Sequence, residues 1–578
     1  MEKRILLAVS LSFLILFAYQ SLFVKPANKA RVARPAAGAP AAAPSTSGTP
    51  AAAATTTPSP AAPADQAQPS PSQGAGAGPL VADSAEREVI VETDEVRAVF
   101  STRGAELKSW VLKGVLDDQK RPVDLLPRGV PPQEPRAFAL LADDAAVTAR
   151  LRSALYRPSA DGLSLGQRPG SLTFEYQDDA GLSVRKAFEF RVNAHPYLVD
   201  FTATVRLGEQ DVPVSVSSGP GLGETERATG GSFLSPSYYQ KPQAILFRNG
   251  KVERVAASGF AAQARYEGRF PYIGADDHYF LGALLPGDRD ARVDYRRIDM
   301  TTATGPRELV VFDARVSGGI KDVRYYLGTK QFDLLAAVSR DLTRVINFGI
   351  FSWLVVPLLR SLNWINDYVG NYGWSIILLT ILINAAMFPL RHKSVVSMRK
   401  LQDLQPEVKA IQDRYATLKA TDPQKQKMNV ELMNLYRERG VNPASGCIPM
   451  LLTFPVLFAF YSLLSQAIEI RGAPFVGWIT DLSVHDPWYI TPLLMGATMV
   501  WQQRITPSTA DPVQQKMMMF MPVMFTFMFL WAPSGLVIYW FVSNMWAIGQ
   551  QYLTNYLIGP PKAVRPPADR KARQGAGA

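Results

Sequence analysis

The sequence predicts a multi-domain membrane protein: an N-terminal signal anchor, an all-β domain outside the cytoplasm, and an α-helical core of five further spans. Three observations predict it. An apolar run, Ile5–Val24, follows Lys3 and Arg4. Alternating apolar and polar residues begin near Val81, broken by Gly, Pro, Asp and Asn turns, as in antiparallel sheets. From Gly373 the chain turns strongly apolar with sparse hydroxyls, and basic residues crowd beside the apolar stretches, which is how orientation in a bilayer is set. The formal charge of +11 could suggest nucleic acid. Its placement beside spans fits anionic head groups instead, so membrane lipids are expected and no nucleic acid is expected as a specific ligand.

The elements follow in order. Ile5–Val24 is about 20 residues, enough to cross a bilayer, whereas signal-peptide cores run to about 7–15. No clear small-x-small cleavage site follows, so residues 1–25 read as an uncleaved anchor with a cytoplasmic N-terminus. Residues 26–80 are Ala, Pro, Thr, Ser and Gly with almost no large apolar side chain, a disordered linker. Residues 81–335 carry EVIVETDEVRAVFS, AELKSWVLKGV, LTFEYQD, VRKAFEFRV, YLVDFTATVRL and DVRYYLG, the period-two pattern of a β-sandwich. His195 and His278 lie there, far apart and without ligand spacing. Asp276-Asp277-His278 reads as a turn with a satisfied histidine rather than a catalytic cluster.

Residues 336–372 include FSWLVVPLLRSLNWINDYV, a moderately apolar helix rimmed by Trp353, Trp364 and Tyr368, expected to lie in the membrane interface. Residues 373–391 form a span. Residues 392–442 follow as a helical hairpin; from Arg391 to Asn442 there are 11 Lys/Arg against 6 Asp/Glu, which places the hairpin in the cytoplasm. Its apolar residues recur at intervals of three and four, with Thr421-Asp422-Pro423 as the break. Residues 443–558 supply four more spans: Cys447–Gln466, Trp488–Trp501, Met517–Trp531 and Leu536–Leu557. Six spans in all return the basic tail, 559–578, to the cytoplasm. Cys447 is the lone cysteine, which excludes an intramolecular disulfide and a multi-cysteine metal site. It reads as a packed small residue.

Within the core, Thr380, Asn384 and Arg391 fall on one helical face, at i, i+4 and i+11. Lipid cannot satisfy such a stripe, so it must face protein, water or a client. Thr453, Thr526, Ser534 and Tyr539 add hydrogen-bonding groups to the neighbouring spans. For a single hydroxyl the ordinary reading is an interhelical hydrogen bond worth about 0.6 kcal/mol. Methionines crowd Met517–Met528, and flexible, polarizable side chains suit either packing or a surface that accepts many apolar partners. The sequence carries no Walker motif and no Gly-rich phosphate loop, and the first and second core spans hold no charge deep within them. Neither a catalytic residue nor a cofactor or metal is expected, and the chain has no visible energy source. A secondary transporter or channel would need duplicated halves or a continuous polar path. An envelope enzyme or sugar-binding protein would need an acid pair in the β-domain and only one span.

The motifs NYGWSIILLT, SMRKLQDLQPEVKAIQDRY, VNPASGCIPMLLTFPVLFAFY and DPVQQKMMMFMPVMFTFMFLWAPSGLVIYWFVSN, in this order after an anchor and a β-domain, resemble the YidC/Oxa/Alb family of membrane protein insertases in its Gram-negative six-span form. The resemblance covers essentially the whole chain. It implies an inner-membrane insertase and chaperone acting with or without the Sec translocon (SecYEG, SecDF) on nascent membrane proteins, with a ribosome contact through the hairpin. It further implies a periplasmic β-supersandwich and a hydrophilic groove, lined here by Thr380, Asn384, Arg391, Thr453, Thr526, Ser534 and Tyr539. One position departs: the family usually has arginine, sometimes lysine, where this chain has Asn384. The nearest fixed cation on that face is Arg391, so the positive charge is expected at the groove mouth, about two turns away.

Overall fold

Lys186 sits where a strand should present an apolar residue to the core, and the whole β-domain is laid out around that strand. In Leu182–Phe190 the side chains of Leu182, Val184, Phe188 and Phe190 are buried in strict alternation, with Lys186 in register among them. The computed structural model describes residues 79–117, 119–192, 195–222, 240–302, 305–415, 424–441, 448–506 and 512–558. The anchor, the linker up to Gly78, the Thr421–Pro423 break, Cys447 and the basic tail lie outside the described residues.

The Leu182–Phe190 strand belongs to an eleven-stranded sheet. Its main path runs Pro79–Val81, Gly170–Asp178, Leu182–Phe190, Leu198–Leu207, Ile320–Thr329, Phe280–Leu285, Tyr272–Asp276, Gln243–Arg248 and Lys251–Ala256. Two five-stranded sheets accompany it, one built on the long hairpin Asp290–Thr302/Gly305–Val316 and one on Glu88–Thr93, Val96–Ser101 and Glu106–Leu116. Every described pairing is antiparallel except that of Glu88–Thr93 with Gly162–Gly166. Each quoted alternating stretch of the sequence is a strand. The linker ends slightly earlier than expected, because Pro79 already pairs with Asp178 at the sheet edge, followed by Val81 with Gln177. Proline is tolerated there, at a strand's first residue on a sheet edge. Helix α1, Ala145–Ser153, has no strong signal in the sequence; Asp144 caps it by accepting the Ala146 N–H.

The chain then turns helical through α2 (Phe332–Val338) and α3 (Ser352–Val369). Helix α3 buries Val355, Leu358, Leu359, Leu362 and Ile365 along one face and leaves Trp353, Trp364 and Tyr368 exposed. Gly370, with φ +69°, ends it, and Asn371 caps the next helix by accepting the Trp374 N–H. Helix α4 is Tyr372–Asp403, 32 residues or about 48 Å, longer than a bilayer core of about 30 Å. The helix therefore continues past Arg391, where the sequence placed the start of the hairpin. The polar residues after 391 change the surroundings, not the helix propensity, and the helix runs on for three turns.

Helices α5 (Gln405–Arg414) and α6 (Gln424–Glu438) run antiparallel, fixed by the ion pairs Arg439–Glu407 at 2.9 Å and Arg414–Glu431 at 2.8 Å. Helices α7 (Ile448–Gln466), α8 (Ile490–Ile505), α9 (Pro512–Phe529) and α10 (Ser534–Ile558) complete the core. Among the described residues α4 alone is long and apolar enough to cross a membrane by those measures; Thr453–Gln466 and Met518–Phe529 are shorter apolar stretches. Helix α10 packs against α4, α7 and α8.

The β-domain and the helices share one continuous apolar core, with polar ties along the seam. Asp277 accepts the backbone N–H groups of Tyr279 and Phe280, and Asp276 pairs with Lys330 at 2.6 Å. That turn aims His278 at the helices, where its Nε2–H donates to the Ser465 carbonyl at 2.7 Å. The Arg471 guanidinium lies 5.3 and 5.1 Å over the Tyr279 and Phe280 rings. Burial, reinforced by the Lys330 and Arg471 cations, pushes the His278 pKa down to about 4, although the Ser465 carbonyl pulls the other way.

A separated seam would restore an ordinary histidine pKa of about 6.5. Between those values the open form takes up a proton that the docked form does not, so docking is full above pH 6.5 and weakens as pH falls toward 4. Going from neutral pH to below 4 costs docking on the order of 3 kcal/mol. Amide protection around Ser465–Ile470, taken relative to the intrinsic exchange rate at each pH, should fall at pH 5 relative to pH 7.5 in the parent. It should stay flat in His278→Gln, which keeps a neutral N–H donor.

Candidate functional site

Four of the seven polar residues singled out in the core form one connected chain. On α4, Thr380 Oγ1 donates to its own helix at the Ile376 carbonyl, 2.6 Å, and Asn384 Nδ2 donates to the Thr380 carbonyl, 2.8 Å. That leaves the Asn384 carbonyl oxygen facing outward from the stripe. Arg391 Nη1 donates to it at 2.8 Å, and Nη2 donates to Thr453 Oγ1 on α7 at 3.2 Å. Thr380 is fully buried, Asn384 is 4% exposed and Arg391 is half-buried.

This geometry corrects the expectation that the charge sits at the mouth. Seven residues along a helix span about 10.5 Å, but helical side chains lean toward the N-terminus. The Arg391 side chain follows that lean and returns its guanidinium to the level of Asn384. An amide oxygen is a good acceptor for that cation; an arginine at 384 would instead repel it. The two positions therefore act together: the neutral residue at 384 is what lets the charge from 391 settle there.

The other three candidates are placed differently. The Tyr539 ring stacks on Phe460 of α7 at 4.2 Å and 9°. Thr526 belongs to a helix crossing: its hydroxyl donates to the Pro522 carbonyl of its own helix and lies against Gly496, where an added Cβ would sit 2.0 Å from Oγ1. Ser534 is fully buried at the start of α10 and donates to the Asp481 carbonyl at 3.1 Å. Asn544 ties α10 to α8 through Thr498 Oγ1 at 3.3 Å, an interhelical bond of the ordinary kind.

Helix α9 shows a different surface. Met519, Phe520, Met521, Val523, Met524, Phe527 and Met528 are all exposed, so these methionines are not packing filler. The side chains of Met450 and Met517 lie outside those described. A half-buried cation at one wall and an exposed, pliant apolar helix elsewhere can accept a polar and an apolar segment of the same guest.

Comparisons with known proteins bear on this arrangement. Residues 364–560 match the family described as 60Kd inner membrane protein, and residues 88–361 match the YidC periplasmic domain. A protein of Geobacter metallireducens named membrane protein insertase YidC is 35% identical, covering 97% of this chain and all of that protein. Its namesake in Geobacter sulfurreducens is 38% identical over 71% of this chain and 76% of its own length. A solved active YidC insertase with its first transmembrane domain resolved aligns over 83% of this chain and 95% of that one, at 19% identity and a TM-score of 0.33.

Proposed function

Because this chain belongs to the YidC family of membrane protein insertases, inner-membrane proteins with a periplasmic domain, we propose that it inserts and folds integral membrane proteins by giving their polar outer segments a path beside Arg391. The observation that carries this reading is the guanidinium held between Asn384 of α4 and Thr453 of α7. A lone charge at mid-bilayer costs about 3 to 10 kcal/mol or more, and a fixed opposite charge lowers that barrier for an acidic segment. The client's apolar span meanwhile leaves along α4 and the exposed methionines of α9. The process makes and breaks no covalent bond, and its driving force is the client's own transfer into lipid.

The clients are nascent membrane proteins, handled alone or beside the Sec translocon, with SecDF contacting the β-domain and the ribosome approaching α5 and α6. Both termini lie in the cytoplasm, in keeping with the basic residues at each end. The test is depletion of the endogenous insertase in a host supplied with this chain, scoring a small Sec-independent client by protease protection. Restored protection is expected; a well-expressed chain that leaves the client exposed would refute the proposal.

A further inference from the structure

A second feature of α4 lies on a different face from Arg391. Ile381, Ala385 and Phe388 of α4 and Val542, Gly549 and Leu553 of α10 wall an open, strongly apolar crevice of about 620 Å³. That volume is in the range of about 300–1,000 Å³ that takes a small amphiphile. The crevice occupies the half of the bundle remote from the periplasmic domain. Two polar residues also line it, Trp546 and Gln550, one turn apart on α10. Trp546 Nε1 and Gln550 Nε2 are buried and have no hydrogen-bond partner among the described residues. An unpaired buried N–H costs about 1–3 kcal/mol, so both donors call for an acceptor.

Below the crevice the two helices are tied by His392 Nδ1 to Thr554 Oγ1 at 3.1 Å and by Arg399 Nη1 to Asn555 Oδ1 at 3.0 Å. Arg399 follows Ile381 by 18 residues, five full helical turns, so it lies on the crevice stripe. It is 5% exposed, and its Nη2 has no partner among the described residues. Along α10 the two N–H donors stand among the apolar walls, between Val542 and Leu553, and Asn555, which Arg399 bonds, follows Gln550 by five residues and Trp546 by nine, about 7.5 and 13.5 Å. Apolar walls, donors set among them and a cation beyond suit an acyl chain, its ester carbonyls and a phosphate.

We propose that this crevice binds one anionic phospholipid of the cytoplasmic leaflet, with its phosphate at Arg399 and its ester carbonyls at Trp546 and Gln550. The site stands apart from the Arg391 pair and does not depend on the reading of that pair. Its occupant fixes the spacing of α4 and α10, the two helices that carry Asn384 and Tyr539.

The test uses the full chain, reconstituted in nanodiscs of phosphatidylglycerol or of phosphatidylcholine and released into native mass spectrometry. One phosphatidylglycerol per chain should be retained, and phosphatidylcholine should be lost. Gly549→Leu should fill the crevice, because no heavy atom lies within 4 Å of a Cβ built there. It should cut retention about tenfold, the equivalent of roughly 1.4 kcal/mol. Gln550→Leu and Arg399→Gln should each weaken retention, and Arg399→Gln should also remove the preference between the lipids; these two carry the test should Gly549→Leu misfold. Equal retention of both lipids, undiminished retention by the folded variants, displacement by inorganic phosphate, or adducts with protein alone would overturn the proposal.

Discussion

Moving the groove cation from position 391 to position 384 should preserve insertion, whereas removing it should cripple insertion of clients with acidic outer segments. Arg391→Thr leaves the Asn384 oxygen and the Thr453 hydroxyl without the donor that bridges them. It also removes the positive charge from a half-buried site. At an effective dielectric of about 20, a unit charge pair about 4 Å apart is worth about 4 kcal/mol. Discounted for hydration of the groove, the loss should still reach about 100-fold for an acidic client, since each 1.4 kcal/mol is tenfold. Neutral clients should lose far less. In Asn384→Arg alone, two guanidinium groups would compete for the site that one occupies in the parent, and insertion should fall through misplacement of both. The double variant Asn384→Arg/Arg391→Thr restores one cation at the same depth and should recover most of the activity. Protease protection of one acidic and one neutral client, measured for all four proteins at matched expression, decides the matter. A double variant as poor as Arg391→Thr, or equal losses for both clients, would show that the charge at this depth is not what matters.

The stripe itself was legible in the sequence. Thr380, Asn384 and Arg391 share a face by spacing alone, and period-two alternation located strands within Glu88–Leu116, Gly170–Leu207 and Ile320–Thr329, but not those between Val214 and Val316. The depth of the charge was not legible. Counting residues gives the position of a Cα, and a side chain as long as arginine can move its charge by more than a helical turn. Thr526 and Thr453 look alike in sequence, both single threonines in apolar runs, but only Thr453 meets Arg391. Which one does so depends on the crossing of α7 with α4, a long-range property that no local pattern encodes. The seam at His278 was half legible: the turn and the satisfied histidine were expected, but not a partner 187 residues further on. Lys186 lies inside the stretch VRKAFEFRV, whose alternation reads as a strand without marking the lysine, and only the folded neighbourhood says what it holds.

Lys186→Met should be the most destabilising single change in the β-domain. Its Nζ donates to the carbonyls of Gly104 at 2.6 Å, Ala105 at 3.2 Å and Phe138 at 2.8 Å. Gly104 and Ala105 both have positive φ, +69° and +46°, and the second is a conformation that a residue with a Cβ adopts at a cost. Lys186 therefore pins a strained turn to the middle of the largest sheet. Burial pushes its pKa down to about 7, while the neighbouring Glu106, itself raised by burial, opposes that shift. Methionine fills a similar volume but leaves three carbonyls without their donor and Glu106 with Arg152, 3.5 Å away, as its paired cation. At about 1–3 kcal/mol for each unmet acceptor, less whatever relaxation recovers, the loss should be about 3–5 kcal/mol. Denaturant unfolding of the full chain, followed through the buried Trp110, would measure it. The pH dependence adds a signature specific to this residue. An unfolded lysine titrates near 10.4, so between pH 7 and that value the unfolded chain holds a proton that the folded one has released. Parent stability should therefore gain a component that rises with pH across this window, and Lys186→Met should lack it. If the two proteins respond to pH alike, the buried amine is not the group that titrates. If the variant is as stable as the parent, the three carbonyls are satisfied some other way and the turn at Gly104–Ala105 does not depend on this lysine.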